Sequence, residues 1–269
     1  MPRSPFYLTA ETAPPLDYGP EYYAKPNGEL QPYFQYDPDR DQSRAQAIAD
    51  AVGLPHRAKV LDFGCGTGVM TAAFNAIGHP TIGVDFSLDA IKRAEETLPQ
   101  VRGRVHHIGP GGVPLSEFPN DLVSLVLAKD IFEHMPEDLK LPETVEQLLC
   151  IGRQVLAVIP TTDEEGNFIC GVFEQDKTHV TRLSKKVWLG FFACTTAREL
   201  SGLTPQIRPS RRQADGTLSL LLEEDPEGRA VLMKERLRVQ SLKRRRLLGR
   251  QSRGSQLDFD SLYRISNDN

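Results

Sequence analysis

Paired cysteines are missing from this chain of 269 residues: its four, Cys65, Cys150, Cys170 and Cys194, are scattered. Their spacing frames neither a disulfide scaffold nor a zinc site. No N-terminal run joins basic residues to a long apolar stretch. Neither a signal peptide nor a membrane span is therefore expected, and the cytoplasm is the default location. Charge bias is also absent. A formal net charge of −4 gives the whole chain no pull towards nucleic acid. Internal repeats are not apparent. What is left is a chain long enough to bury a full core, read as one domain with appendages.

The informative stretch runs from Lys59 to Ile91. Val60, Leu61 and Phe63 make an apolar strand, and Gly64, Gly66 and Gly68 follow directly. Val69, Met70, Ala73, Phe74 and Ile77 then recur on one helical face, and Gly78 stops the helix. Thr81 to Val84 form a second strand that ends on Asp85. Glycines after a first strand let the backbone approach a ligand, and the next helix offers free N–H groups. A carboxylate roughly 20 residues on, at the second strand's tip, is placed to hold a ribose diol. A dinucleotide fingerprint would need its third glycine where Val69 stands. The pattern is instead D-x-G-x-G-x-G, and Asp62 ahead of the loop suits a positively charged ligand better than a diphosphate.

With D-F-G-C-G-T-G as a first motif and Val84-Asp85-Phe86-Ser87 as a ribose-binding strand end, the chain resembles the class I S-adenosylmethionine (SAM)-dependent methyltransferases over roughly residues 55 to 222. The resemblance implies an α/β, Rossmann-like, doubly wound sheet of seven strands with an antiparallel last hairpin. It implies a SAM site of Asp62, Gly64, Cys65, Gly66, Thr67 and Gly68, with Asp85, Phe86 and Ser87, and Lys129 and Asp130 beside the methionine part. The product would be S-adenosylhomocysteine. After the third strand, Arg104 to Ile108, the family usually has an acid for the adenine amine. Here Gly109-Pro110-Gly111-Gly112 stands there, leaving loop backbone groups or Glu117 as substitutes. In the glycine loop Cys65 reads as a small filler.

Around this centre the chain divides into an N-terminal lid or arm (residues 1–40), a methyltransferase domain (41–225) and a basic helical C-terminal extension (226–269). The arm is rich in proline and tyrosine, so it cannot run as a long helix and is expected to wrap over the core. Similar methyltransferases close such lids over SAM. For most of Tyr18, Tyr22, Tyr23, Tyr33, Phe34 and Tyr36, burial against the outside of the sheet is the expectation. Gln42 to Val52 read as a helix. Ser87 caps another that Pro99 ends. Leu122 to Ala128 read as a central parallel strand. A helix around Glu143 to Leu149 leads into strand Gln154 to Ile159. A long insert, Asp163 to Thr178, should shape a substrate pocket, and its D-x-T-H close resembles that of many small-molecule methyltransferases. Ser184 to Leu200 read as helix, and Thr204 to Arg208 and Thr217 to Leu222 as the last strands. From Lys234 to Arg253 basic residues alternate with leucines. A helix packed on the domain or on a second subunit of a homodimer is preferred there to binding of a phosphate-bearing substrate, RNA or an acidic partner protein.

Methyl transfer from a sulfonium needs positioning, exclusion of water and, for an oxygen acceptor, removal of a proton. Near-neutral imidazoles suit the last task, and His134, after the fourth strand, and His179, in D-x-T-H, are the candidates. His106 and His107 read as structural. Asp130, Glu133 and His134 also spell D-x-x-E-H, and with His179 could hold magnesium or manganese, as the E-x-x-E-H of some relatives does. The shorter Asp at the first position, and the frequency of E-H in relatives without metal, favour a base and no metal. The expected activity is O-methylation of a small polar metabolite, a sugar or a biosynthetic intermediate. The alternatives are an RNA methyltransferase using the basic arm and a non-catalytic SAM-binding partner subunit.

Overall fold

A computed structural model describes residues 18–24, 29–108, 112–135, 140–192, 195–223 and 258–263. Seven strands form one sheet: β1 (Val60–Phe63), β2 (Thr81–Asp85), β3 (Val105–His107), β4 (Val123–Lys129), β5 (Gly152–Pro160), β6 (Thr196–Glu199) and β7 (Thr217–Glu223). They run in the order β3-β2-β1-β4-β5-β7-β6. The first five are parallel, and β7 lies antiparallel between β5 and β6. The order reverses at β1 and β4, and a doubly wound sheet opens its ligand crevice beyond the carboxyl ends of strands at such a point.

Helices cover both faces because the central strands are apolar on both. Leu125, Leu127, Leu156 and Val158 meet α2 (Pro38–Val52) and α3 (Val69–Ala76). Val126, Ala128, Val155 and Ala157 meet α5 (Lys140–Ile151) and the rings of α6 (Lys185–Phe191) and Phe192. Between β2 and β3, α4 (Leu88–Thr97) packs Ile91 and Ala94 beside the glycine loop. Ser87 caps α4 as expected, accepting from Ala90 N at 3.1 Å. At the front of the chain, α2 starts four residues before the sequence-based Gln42. Asp37 caps it through Arg40 N at 3.0 Å, and Pro38, which reads as arm, is tolerated in a first turn whose N–H groups are free anyway.

The end of the domain departs from expectation. Ser184 to Leu200 is not one helix: α6 stops at Phe191, and Thr196–Glu199 forms the edge strand β6. Thr204 to Arg208 is not a strand but the turn α7 (Thr204–Ile207), followed by α8 (Arg211–Asp215). β6 is mostly exposed and polar, so it lacks the alternation that marks a strand, whereas Leu200, Leu203 and Ile207 are buried against the α2 face. Pro205 sits in the first turn of α7, where a helix accepts it.

The basic stretch and most of the C-terminal extension lie outside the described residues. The chain returns at α9 (Phe259–Leu262, numbered after α1, Pro20–Tyr23, and the helices above), whose Phe259 and Leu262 are buried in the main core. His106 Nε2 donates to Leu262 O at 2.7 Å, and Tyr263 Oη donates to Asn75 Oδ1 at 2.8 Å. Lys59 and Arg104, just ahead of β1 and β3, lie over the rings of Phe259 and Tyr263. No helix among the described residues is long and apolar enough to cross a membrane.

Candidate active site

The glycine loop after β1 turns through three left-handed residues, Gly64 (φ 76°), Gly66 (φ 53°) and Gly68 (φ 79°). A side chain at Gly64 would collide with Ile131, its Cβ 2.8 Å from Ile131 Cδ1, while Gly66 faces open space. That exposed backbone borders a cavity of about 390 Å³, within the range of small-molecule sites. Asp62, Gly64, Cys65, Gly66, Thr67, Asp85, Phe86, Lys129, Asp130 and His134 all line it. Gly68 and Ser87 stand behind this wall, Gly68 at the start of α3 and Ser87 donating its N–H to Asp85 Oδ1 at 2.8 Å. Glu117 and the histidines of β3 are not part of the lining, and residues 109–111 of the adenine-side loop lie outside the described residues. His107 instead holds Phe86 O, at 3.0 Å.

Asp85 and Asp62, beside the glycine loop, both face this cavity. Gly66 N donates to Asp85 Oδ2 at 2.8 Å, and burial raises the Asp85 pKa against the help of its backbone donors. Asp62 accepts from Thr71 Oγ1 at 2.8 Å, and burial pushes its pKa up to about 6. Both would be stabilised as anions by a cationic ligand. Burial raises the Cys65 thiol well above its usual range, so it stays protonated and unreactive.

Aromatic residues of the N-terminal strap close the cavity. The expectation that most of them bury against the outside of the sheet does not hold. Tyr18, Tyr22, Tyr23, Tyr33 and Phe34 line the cavity itself. The strap is fastened along the carboxyl ends of the strands. Ser87 Oγ donates to Tyr18 O at 2.7 Å and Thr67 Oγ1 to Phe34 O at 2.8 Å. Tyr22 Oη donates to Asp176 Oδ2 at 2.8 Å and Tyr33 Oη to Asp130 Oδ2 at 2.6 Å.

At the end of β4 the first acid of D-x-x-E-H is already engaged. Asp130 takes a left-handed backbone (φ 56°) and binds the buried guanidinium of Arg208 through both oxygens, Arg208 Nη1 to Oδ2 at 2.9 Å. Lys129 Nζ donates to the same Oδ2 at 2.5 Å. Burial alone would raise the Asp130 pKa, but Arg208 and Lys129 hold it well below the usual range. Asp130 therefore stands apart from the other metal candidates. Glu133, His134 and His179 do converge, with one ligand atom of each within 4.8 Å of the others. Glu133 is fully buried, and neither of its oxygens accepts a hydrogen bond from another described residue. Burial raises its pKa well above the usual range. His179 Nδ1 donates to Phe173 O at 2.8 Å, which leaves the lone pair of the neutral ring on Nε2. That atom faces Glu133 Oε1 at 3.9 Å and Asp176 Oδ2 at 3.6 Å. Burial lowers both imidazoles, His134 to about 4. A buried carboxylate and two neutral imidazoles form a donor set that suits a divalent cation.

From sequence, Arg208, Asp176 and Thr178 carry no assigned role, whereas the strap tyrosines stand out as lid aromatics, with burial against the outside of the sheet expected for most of them. Asp176 and Thr178 stood in view, in the D-x-T-H segment whose histidine alone was weighed. Arg208 gave no signal, since its partner is 78 residues away.

The parallel sheet reversing at β1 and β4, the left-handed glycine loop and the strand-tip carboxylate define a class I SAM-dependent methyltransferase. The methyltransferase-domain family matches residues 36–188, more than half of the chain, and the chain belongs to that family. It is 27% identical over 128 residues to a ubiquinone biosynthesis O-methyltransferase of Leptothrix cholodnii, a match covering 47% of this chain and 53% of that protein. The chain thus spans about half the length of this curated relative. Among solved structures, YcgJ of Bacillus subtilis is 15% identical with a TM-score of 0.49, over 68% of this chain and 98% of that one. A 1,6-didemethyltoxoflavin-N1-methyltransferase of Burkholderia thailandensis, solved with S-adenosylhomocysteine, is 17% identical with a TM-score of 0.44, over 70% and 80%.

Proposed function

We propose that the protein methylates an oxygen of a small polar metabolite, using SAM as donor and His134 as general base. The carrying observation is the placement of His134: it borders the same cavity as the glycine loop and Asp85. In this reading Asp85 holds the ribose hydroxyls and Asp62 faces the positive charge of the methionine part. Gly64 and Gly66 let that part lie against the backbone. Phe86, 43% exposed at the tip of β2, offers a face for the adenine. The acceptor oxygen attacks the SAM methyl carbon, the C–S bond breaks, and its electron pair stays on sulfur in neutral S-adenosylhomocysteine. The hydroxyl proton passes to His134, whose neutral ring is ready to take it. The strap tyrosines exclude water, and burial keeps their phenols protonated. A cavity of about 390 Å³ under such a strap suits a small acceptor, and the O-methyltransferase activity of the Leptothrix cholodnii relative agrees with an oxygen target.

Glu133 favours a second reading of the same centre. A buried carboxylate that no described residue hydrogen-bonds, beside two neutral imidazoles, fits a divalent ion held by Glu133, His134 and His179. Such an ion would supply Lewis-acid activation of an acceptor hydroxyl. One experiment separates the two. Release of S-adenosylhomocysteine from SAM is followed, with the low-molecular-weight fraction of a cell extract as acceptor source, before and after exhaustive chelation. For the base, chelation changes nothing and His134→Ala lowers turnover by ~10²–10⁴-fold, with SAM affinity unchanged by calorimetry. Activity lost to chelation and regained with manganese or magnesium assigns the centre to the ion. Full activity of His134→Ala sinks both.

A further inference from the structure

The D-x-T-H segment contributes more than its histidine. Thr178 N and Thr178 Oγ1 both donate to Asp176 Oδ1, at 2.9 and 2.5 Å. A hydroxyl that close to a carboxylate oxygen has its proton between the two, so the Thr178 proton is committed to Asp176. His134 Nδ1 lies 2.8 Å from the same Thr178 oxygen. With its one proton engaged, that oxygen can only accept from the ring. His134 therefore carries its proton on Nδ1, and its lone pair sits on Nε2. Asp176 is kept anionic: burial opposes this, but the donors Thr178 and Tyr22 outweigh it. Tyr22, which binds the other Asp176 oxygen at 2.8 Å, belongs to the strap over the cavity.

We propose that Thr178 and Asp176 are positioning residues that fix the tautomer and ring plane of His134, presenting an unprotonated Nε2 to the acceptor. The relay runs His134 Nδ1–H to Thr178 Oγ1–H to Asp176 Oδ1. Three elements meet in it: the turn after β4, the insert between β5 and α6, and, through Tyr22, the strap. Tyr22, on the other oxygen of Asp176, thus ties the strap over the cavity to the same relay. The positioning is a property of the folded chain, whereas its use in catalysis rests on the assignment of His134 above.

The test reads the tautomer directly. In the full chain with imidazole nitrogens labelled, wild type should show His134 with a protonated Nδ1 and a pyridine-like Nε2 by ¹⁵N NMR. Thr178→Val keeps the shape and removes the hydroxyl, and should turn this into a mixture of tautomers. Thr178→Ser should restore the single tautomer. Turnover with SAM and the extract fraction should fall by about 10–100-fold in Thr178→Val, the usual cost of losing a group that orients a functional histidine, while SAM affinity stays constant. Serine should recover most of that loss. A wild-type His134 protonated on Nε2, or a Thr178→Val that keeps the Nδ1–H tautomer, overturns the proposal. If the valine variant fails to fold, the wild-type and serine spectra still decide it. A fixed tautomer together with a fully active His134→Ala would leave the positioning standing and remove His134 from the chemistry, so the two failures are distinguishable.

Discussion

Asp85 meets two backbone amides before any ligand arrives, Gly66 N on one oxygen and Ser87 N on the other. Those donors hold the carboxylate in a single orientation at the tip of β2 and leave it acceptor capacity for two hydroxyls. Asp85→Ala should therefore lose about 2–3 kcal/mol of SAM binding, the scale of a charged acceptor removed from its donors. Calorimetric titration checks this, and unchanged affinity would take the ribose away from Asp85. The residue was legible in the chain because every group that places it is local: strand, glycine loop and the capping Ser87 lie within about two dozen residues. The same locality made the glycines legible. Their left-handed dihedrals are demands of a tight turn, and a glycine announces such a turn in any fold.

At the scale of elements, the carboxyl end of β4 is tied to the last helical turns of the domain. Arg208, just past α7, crosses to Asp130, just past β4, and its Nε donates to Thr217 at the start of β7. Breaking a buried pair by removing one charge strands the other, so Asp130→Asn should cost about 3–5 kcal/mol of folding stability at neutral pH. The sign with pH follows from Asp130, whose folded pKa is depressed by Arg208 and Lys129 in spite of burial. Its contribution is fully present above the unfolded pKa, near 3.9, and is lost as pH falls towards the folded value. Denaturant unfolding of both proteins should show a gap that is constant from about pH 5 to 8 and shrinks below about pH 4. A gap that widens in acid would contradict the assignment. None of this was visible in the sequence, where Ile207 and Arg208 read as the end of a strand. The burial of Leu203 and Ile207 beneath α2 decides the helical form of α7, and no alternation along the chain reports a partner in another helix.

Across the whole molecule, the chain closes on itself at the end of the sheet opposite the cavity. Phe259 and Leu262 enter the main core, while Lys59, Asn75, Arg104 and His106 hold the turn from outside. The Phe259 ring is 4% exposed, so Phe259→Ala should cost about 3–5 kcal/mol. Removing the exposed Asp260 partner of Lys59 should leave stability within measurement error. Chemical denaturation reads both. A Phe259→Ala protein as stable as wild type would make this turn a passive appendage.

The sequence alone determined the nucleotide-binding half of the protein. A strand, a glycine turn, an amphipathic helix and a strand-tip acid follow one another closely, and local conformational preference with hydrophobic period is enough to specify each. It also delivered His134 and His179 as separate candidates. Only the tertiary structure decided what surrounds them. Folding brings Thr178 and Asp176 beneath His134, sets the lone pair of His179 towards Glu133, removes Asp130 from that cluster to Arg208, and lays the strap tyrosines into the cavity. The physical reason is distance along the chain. These contacts join residues from about 40 to more than 150 positions apart. Their energies come from burial and hydrogen-bond geometry that exist only once the sheet has assembled, so no spacing or periodicity in the chain can encode them locally.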